Sequence, residues 1–105
     1  MTLQSTLQLY HGQIAEWLHN QKYKQLIPLE DNTSVYFKEY DDKINNILIQ
    51  IIIQNSDNPK IWEVSISIYS NGNNESRIMD YCDTLKEAKE NAVIWVMKLI
   101  TKPVF

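Results

Sequence analysis

The chain is poor in the residues that cross-link, break or loosen a fold. Its 105 residues include one cysteine, two glycines and three prolines. The single cysteine, Cys82, excludes an internal disulfide, which favours a reducing compartment. Gly12 and Gly72 are too few to form a glycine-rich phosphate-binding loop. A chain of this length can bury one core without cross-links, so we expect a single domain over residues 1–105.

Positive charge is also scarce. The net charge is −3, and only one of the ten basic residues, Arg77, is an arginine. Nucleic-acid binding usually needs clustered lysine and arginine, so this composition argues against it. The first residues lack the basic and apolar regions of a signal peptide. Asn46, Gln50 and Gln54 keep every apolar run below the ~18 residues of a membrane span. We expect a cytoplasmic protein with no membrane contact.

Two segments have the three- and four-residue spacing of amphipathic helices. The first carries its apolar residues at Leu3, Leu7, Tyr10, Ile14, Trp17 and Leu18. Gly12 interrupts it, so either packing requires a small residue there or the helix is weak. In the second segment, Thr84 and Glu87 match a capping box. Its predicted buried face consists of Leu85, Ala88, Ala92, Trp95, Val96 and Leu99.

The stretches between the helices alternate with the two-residue period of β-strands. Ile47, Ile49, Ile51 and Ile53 form one entirely apolar face, and Trp62, Val64, Ile66 and Ile68 form another. A three-residue turn at 41–43 would place Phe37 opposite Ile47 and direct Val35 and Phe37 into the core. We therefore predict an α+β fold in two layers, α-β-β-β-β-α. It has a four-stranded antiparallel meander with both helices packed on one face.

The last hairpin admits two registers. An Asn71-Gly72 turn of type I′ places Met79 opposite Val64, and Arg77 opposite Ile66. The slipped register would direct Asp80 into the core, which is costly unless its carboxylate is paired. We favour the first register.

The second face of the sheet is the predicted binding surface. Its mixture of tyrosine, amide and isolated aliphatic side chains is typical of protein interfaces, although antiparallel sheets commonly leave one face in water. The predicted partner-binding residues are Tyr36, Lys38, Tyr40, Gln50, Ile52, Ser65, Ser67 and Tyr69. A partner protein is expected to bind there.

Other candidate sites are weaker. Ile94 and Met97, on the outer side of the last helix, are possible homodimer contacts, unless the chain itself covers them. Cys82 has no recognisable base to activate its thiol, because neither His11 nor His19 has a partner that would orient it. The two histidines lie two helical turns apart and cannot bind one metal ion together. We expect no catalytic residues, no metal and no cofactor.

The C-terminal stretch resembles parts of two nucleic-acid-binding families. Residues 62–99 look like the hairpin and helix of arm-type domains in tyrosine recombinases. Residues 84–99 are similar to the last helix of double-stranded RNA-binding domains, with Lys86 and Lys89 where that family places phosphate-binding lysines. Glu87 and Glu90 offset those charges here, and the family's basic loop is absent. The resemblance implies a nucleic-acid-binding domain that uses the lysines of the helix, but its features are too general to assign the chain to either family.

The sequence thus favours a small non-enzymatic protein-binding module, such as an adaptor, inhibitor or regulator. The alternative is a nucleic-acid-binding domain using Lys86, Lys89, Lys98 and Lys102 of the C-terminal helix.

Overall fold

A helical layer packs against one face of an antiparallel sheet. The computed structural model describes residues 3–20, 22–26, 34–55 and 61–101. The helices within these ranges are α1 (Leu3–Leu9), α2 (His11–His19) and α3 (Leu85–Thr101). The strands are β1 (Lys24–Leu26), β2 (Val35–Asp42), β3 (Ile47–Asn55), β4 (Trp62–Ser70) and β5 (Asn73–Cys82).

The strands form an antiparallel meander in the order β1-β2-β3-β4-β5. The predicted α+β arrangement is therefore confirmed, with five strands in place of four. The additional strand, β1, pairs with β2 at one edge of the sheet, where Lys24 lies opposite Phe37. A strand of three residues is too short to have a recognisable period in the sequence.

The isoleucines of β3 lie beneath the helices, as the alternation predicts. Ile49, Ile51 and Ile53 are fully buried, and Ile47 is almost so. They share the core with the inward-facing residues of β4 and with small residues of α3. The buried core consists of Leu3, Leu7, Ile14, Leu18, Ile47, Ile49, Ile51, Ile53, Val64, Ile66, Ile68, Cys82, Ala88, Ala92 and Val96. The β3–β4 pairing places Ile53 opposite Val64 on the core side of the sheet.

The predicted orientation of β2 is wrong. The turn between β2 and β3 has four residues, 43–46, and Asp42 lies opposite Ile47. A turn one residue longer reverses which side chains face the core. Val35 and Phe37 consequently lie on the face away from the helices, and Tyr36, Lys38 and Tyr40 lie on the helix-facing side.

The last hairpin combines the two registers that the sequence allowed. Its turn has positive φ at Asn71 and Gly72, as type I′ requires. Arg77 lies opposite Ile66, as predicted. A β-bulge then shifts the register, so that Asp80 lies opposite Val64 and Tyr81 opposite Glu63, which corrects the predicted pairing of Met79 with Val64. The bulge places Asp80 and Cys82 on the helix-facing side.

The N-terminal helical segment is divided at Tyr10, whose φ of −107° and ψ of 28° are not helical. Gly12 follows in the first turn of α2. A Cβ added there would have no atom within 4 Å. Packing therefore does not require a glycine at this position, and the glycine weakens the helix where it breaks. At the other end of the chain, Thr84 Oγ1 accepts the predicted capping hydrogen bond from the Glu87 amide at 3.1 Å.

Candidate functional site

The open face, meaning the side of the sheet away from the helices, carries the candidate binding surface. Directly paired residues share a face, so the pairings define rows of side chains across the strands. We call one row the central row; it consists of Phe37 on β2, Ile52 on β3, Ser65 on β4 and Ile78 on β5.

The central row leaves apolar surface in contact with solvent. Ile78 is 52% exposed, and Phe37 and Ile52 are half-buried. None of the three belongs to the buried core or packs against it. Lys24, on the neighbouring strand, places its ammonium 6.0 Å from the centre of the Phe37 ring, so the row ends at a cation. Among the described elements, none covers this row.

A polar row lies on one side of the central row. It runs from Glu39 through Gln50 and Ser67 to Ser76. The Gln50 amide donates a hydrogen bond to Glu39 Oε1 at 2.9 Å, and the Ser67 and Ser76 hydroxyls are also 2.9 Å apart. Ser67 is buried in this network although it faces outward. The hydrogen bonds fix the side chains of this row in place.

A second polar row flanks the other side of the central row. It contains Gln54 on β3, Glu63 on β4 and Tyr81 on β5, while its member on β2 is the half-buried Val35. The Gln54 amide donates to Glu63 Oε2 at 3.4 Å. Tyr81 is 60% exposed. The central row is therefore flanked on both sides by polar groups, except at Val35, and each flanking row contains one carboxylate.

At the end of the face, the two hairpin turns enclose a groove of about 580 Å³ that is lined by Leu48, Tyr69 and turn residues. Asp42, in its wall, accepts hydrogen bonds from the backbone of Ile44 and Asn45. Such bonds are what turns require of aspartate. Asp42 thus has a structural role in the turn.

Five of the predicted partner-binding residues lie on the open face: Gln50, Ile52, Ser65, Ser67 and Tyr69. The other three are corrections, since Tyr36, Lys38 and Tyr40 face the helical layer. Phe37 and Glu39, which occupy the face in their place, were missed. The signal that could have found them is Asp42, because an aspartate that caps the following turn favours the longer, four-residue turn.

Lys38 is buried and serves the fold. Its ammonium donates hydrogen bonds to the backbone carbonyls of Leu18 and Asn20. It lies 5.3 Å from the ring centre of Trp17 and 5.7 Å from that of Tyr23. Burial lowers the pKa of Lys38 from its ordinary value. These contacts account for the polar group on the core side of β2.

Asp80 anchors α3 to the edge of the sheet. Its carboxylate accepts hydrogen bonds from Trp95 Nε1 at 3.1 Å and from Asn91 Nδ2 at 3.0 Å. The bond from Trp95, together with further bonds from Tyr81 and Asn91, lowers the pKa of Asp80 against the opposing effect of burial. Trp95, predicted to be buried, is 38% exposed because it binds this carboxylate at the margin of the core.

Cys82 lies next to Asp80 and is buried. Burial raises the pKa of its thiol, and the nearby carboxylates of Asp80, Glu87 and Asp83 raise it further, against a smaller opposing effect of the Asn91 hydrogen bond. A raised pKa disfavours the thiolate that a nucleophile requires.

The helix residues with predicted roles are dispersed. Ile94 is 49% exposed, but Met97 packs against the core, so the two do not form one exposed patch. The Lys89 ammonium lies over the rings of Tyr23 and Tyr36, and that of Lys98 over Trp95. Lys102 lies outside the described residues. The homodimer and the nucleic-acid alternative stay predictions.

Within the described ranges, no three His, Cys, Asp or Glu side chains come together as metal ligands. No helix in the same ranges is long and apolar enough to cross a membrane.

Comparison of the chain with protein-family models, with curated proteins and with solved structures found no match.

Proposed function

We propose that the protein is a small non-enzymatic binding module, an adaptor, inhibitor or regulator, that engages a partner protein through the open face of its sheet. The observation that carries the proposal is the central row, where Phe37, Ile52 and Ile78 present apolar surface that no described element covers. Large apolar groups rimmed by polar ones mark interaction sites on protein surfaces.

A partner that covers these apolar side chains would gain binding energy from their burial. Complete burial of a side chain such as Ile or Phe contributes roughly 1.5–3 kcal/mol relative to full exposure. Because Phe37 and Ile52 are already half-buried, a partner would gain only part of this from each. Tyr69 and Tyr81, both exposed on the same face, belong to a residue type that often dominates interface energies. The face is therefore suited to a moderate affinity.

We infer a non-enzymatic role because the ionisable and nucleophilic side chains singled out above stabilise the fold. Lys38 binds the carbonyls at the end of α2, and Asp80 binds side chains of α3. The thiol of Cys82 is buried and its pKa is raised by that burial. The open face itself carries amides, hydroxyls and carboxylates that bond to one another.

The test is affinity capture from a lysate of the protein's own host, using the wild type and an Ile52→Lys/Ile78→Ser variant. We expect the variant to lose a captured protein while its thermal unfolding temperature stays within a few degrees of the wild type, because neither residue is in the core. An Ile94→Ser variant is the matched control, since it removes an exposed isoleucine from α3.

Two outcomes would count against the proposal. Identical captured proteins for the wild type and the double variant would show that the open face is not the contact surface. Capture that is lost after nuclease treatment would favour the nucleic-acid alternative.

A further inference from the structure

Three residues of β3 organise the charges of the open face. Gln50, Ile52 and Gln54 point to this face in succession. The Gln50 amide donates to Glu39 on one neighbouring strand, and the Gln54 amide donates to Glu63 on the other. Ile52 lies in the row between them, so it marks the midpoint of the line that joins the two carboxylates.

The separation of these carboxylates follows from strand geometry. Glu39 and Glu63 are four residues apart along the strand direction and two strands apart across the sheet. At about 3.4 Å per residue and 4.8 Å per strand, their backbones are about 17 Å apart on a diagonal. An apolar centre thus lies between two acidic positions.

Both carboxylates can bind more hydrogen-bond donors. Each accepts one amide hydrogen bond, and an ionised carboxylate has about four acceptor positions. Glu39 is exposed and Glu63 is half-buried. The open face also carries a third acidic residue, the exposed Asp41. Among the described residues, the basic residue on this face is Lys24. The charge of the surface is therefore negative around an apolar centre.

Building on the proposed function, we infer that the open face binds a cationic amphipathic segment of its partner protein. Apolar side chains of that segment would cover Ile52 and its neighbours in the central row. Lysine or arginine side chains at both ends would bind Glu39 and Glu63. Charge complementarity of this kind sets specificity and association rate more than affinity.

The same charges disfavour other occupants. A second copy of this chain placed face to face would oppose one set of three carboxylates to another, with one lysine from each copy to offset them. A nucleic acid would bring phosphates toward Glu39 and Glu63, although binding to phosphates requires basic groups.

The inference can be tested with two helical peptides that share a leucine stripe. In one peptide, two lysines flank the stripe and are about eleven residues apart. At 1.5 Å per residue, the two lysines are roughly 17 Å apart along the helix. In the other, glutamates replace the lysines. We expect the lysine peptide to bind at least about tenfold more tightly at low salt, since like charges oppose the other peptide. Its chemical-shift changes should centre on β3.

Matched variants separate the site from the net charge. Glu39→Gln/Glu63→Gln should weaken binding of the lysine peptide by about two- to fivefold for each carboxylate. Glu16→Gln/Glu90→Gln removes the same charge from exposed positions of the helical layer and should leave the affinity within about twofold.

Equal affinity for the two peptides, equal effects of the two variants, or no binding of either peptide would overturn the inference. The lysate experiment has a separate readout. If Ile52→Lys/Ile78→Ser loses its captured protein but Glu39→Gln/Glu63→Gln retains it at every salt concentration, the proposed function stands and the cationic partner does not.

Discussion

The ammonium group of Lys38, on β2, donates a hydrogen bond to the backbone carbonyl of Leu18 in the last turn of α2, 3.2 Å away. The last carbonyls of a helix have no partner within it and carry partial negative charge. Lys38 also donates to the carbonyl of Asn20, which follows the helix. A lysine from the sheet therefore caps the helix above it and joins the two layers.

Replacing Lys38 with methionine should show how much this cap contributes to the stability of the protein. The variant keeps the aliphatic stem but leaves two carbonyls without their charged donor, while it also avoids burying an ammonium group. We expect a net loss of about 1–2 kcal/mol in the free energy of unfolding. Urea unfolding measures the loss, and faster hydrogen exchange in α2 would locate it. Lys43→Met, in an exposed turn, is the control, and a Lys38→Met protein as stable as that control would contradict the prediction.

Tyr23 should make stability depend on alkaline pH. Burial raises the pKa of Tyr23 from 10.0 to about 12. The folded protein thus keeps a proton that the unfolded chain releases, so the contribution to stability is complete below pH 10 and is lost as the pH rises toward 12. We expect Tyr23→Phe to remove about 1.4 kcal/mol of alkaline destabilisation at pH 11, one unit above the unfolded-state pKa. Urea unfolding between pH 8 and 11 measures it, and an unchanged slope would refute the assignment.

The bond from Trp95 to Asp80 should matter at neutral pH and fade in acid. The lowered pKa of Asp80 means that its stabilising effect is present above its ordinary value of 3.8 and is lost as the pH falls below the folded-state value. Trp95→Phe removes one hydrogen bond, so we expect a loss of about 1 kcal/mol at pH 7 and a smaller loss at pH 3. A double-mutant cycle with Asp80→Ala measures the coupling. A coupling energy of zero at pH 7 would show that the bond contributes nothing.

The two glycines should respond in opposite ways to alanine. Gly12 lies in α2 with open space around it, so Gly12→Ala should stabilise the protein by about 0.5–1 kcal/mol. Gly72 has a φ of +84°, which an alanine adopts only with strain, so Gly72→Ala should destabilise it by about 1 kcal/mol. Thermal unfolding of both variants tests the pair. Destabilisation by Gly12→Ala would mean that the helix break at Tyr10 requires that glycine.

The orientation of β3 could be predicted from sequence because four isoleucines alternate without exception. Moving this strand by one residue would expose all four, so the pattern admits only one solution. β4 has the same strength of signal. These two strands are the centre of the sheet, and they also fix Gln50, Ile52, Ser65, Ser67 and Tyr69 on the open face.

The orientation of β2 could not be predicted in the same way. Val35 and Phe37 alternate with Tyr36, Lys38 and Tyr40, and hydrophobicity alone favours placing the first pair inside. The observed arrangement depends on contacts with α2, which is distant in sequence. The Leu18 carbonyl of α2 accepts a hydrogen bond from Lys38, and Trp17 of α2 packs edge-on against Tyr40 with ring centres 6.0 Å apart. Three of the eight predicted surface residues, all on β2, were therefore outside the reach of strand periodicity.

The register of β5 could be predicted from the sequence only in part. A single register was expected to hold along the whole hairpin, and the two options differed in where they placed Asp80. The bulge makes both correct in part, and it is stabilised by the side chains of Trp95 and Asn91 on α3. Only the packed helix makes a carboxylate acceptable at that position.

The bulge in β5 also bears on how the protein behaves when it is concentrated. Long, flat, isoleucine-rich sheets can recruit further chains and grow into fibrils. At one margin of this sheet, the ten-residue β5 is bent by its extra residue and carries Glu75 and Arg77, which hinders the addition of another strand. At the other margin, the described part of the edge strand, β1, has three residues. The irregular ends of the sheet thus protect a sequence whose central strands would otherwise favour self-assembly.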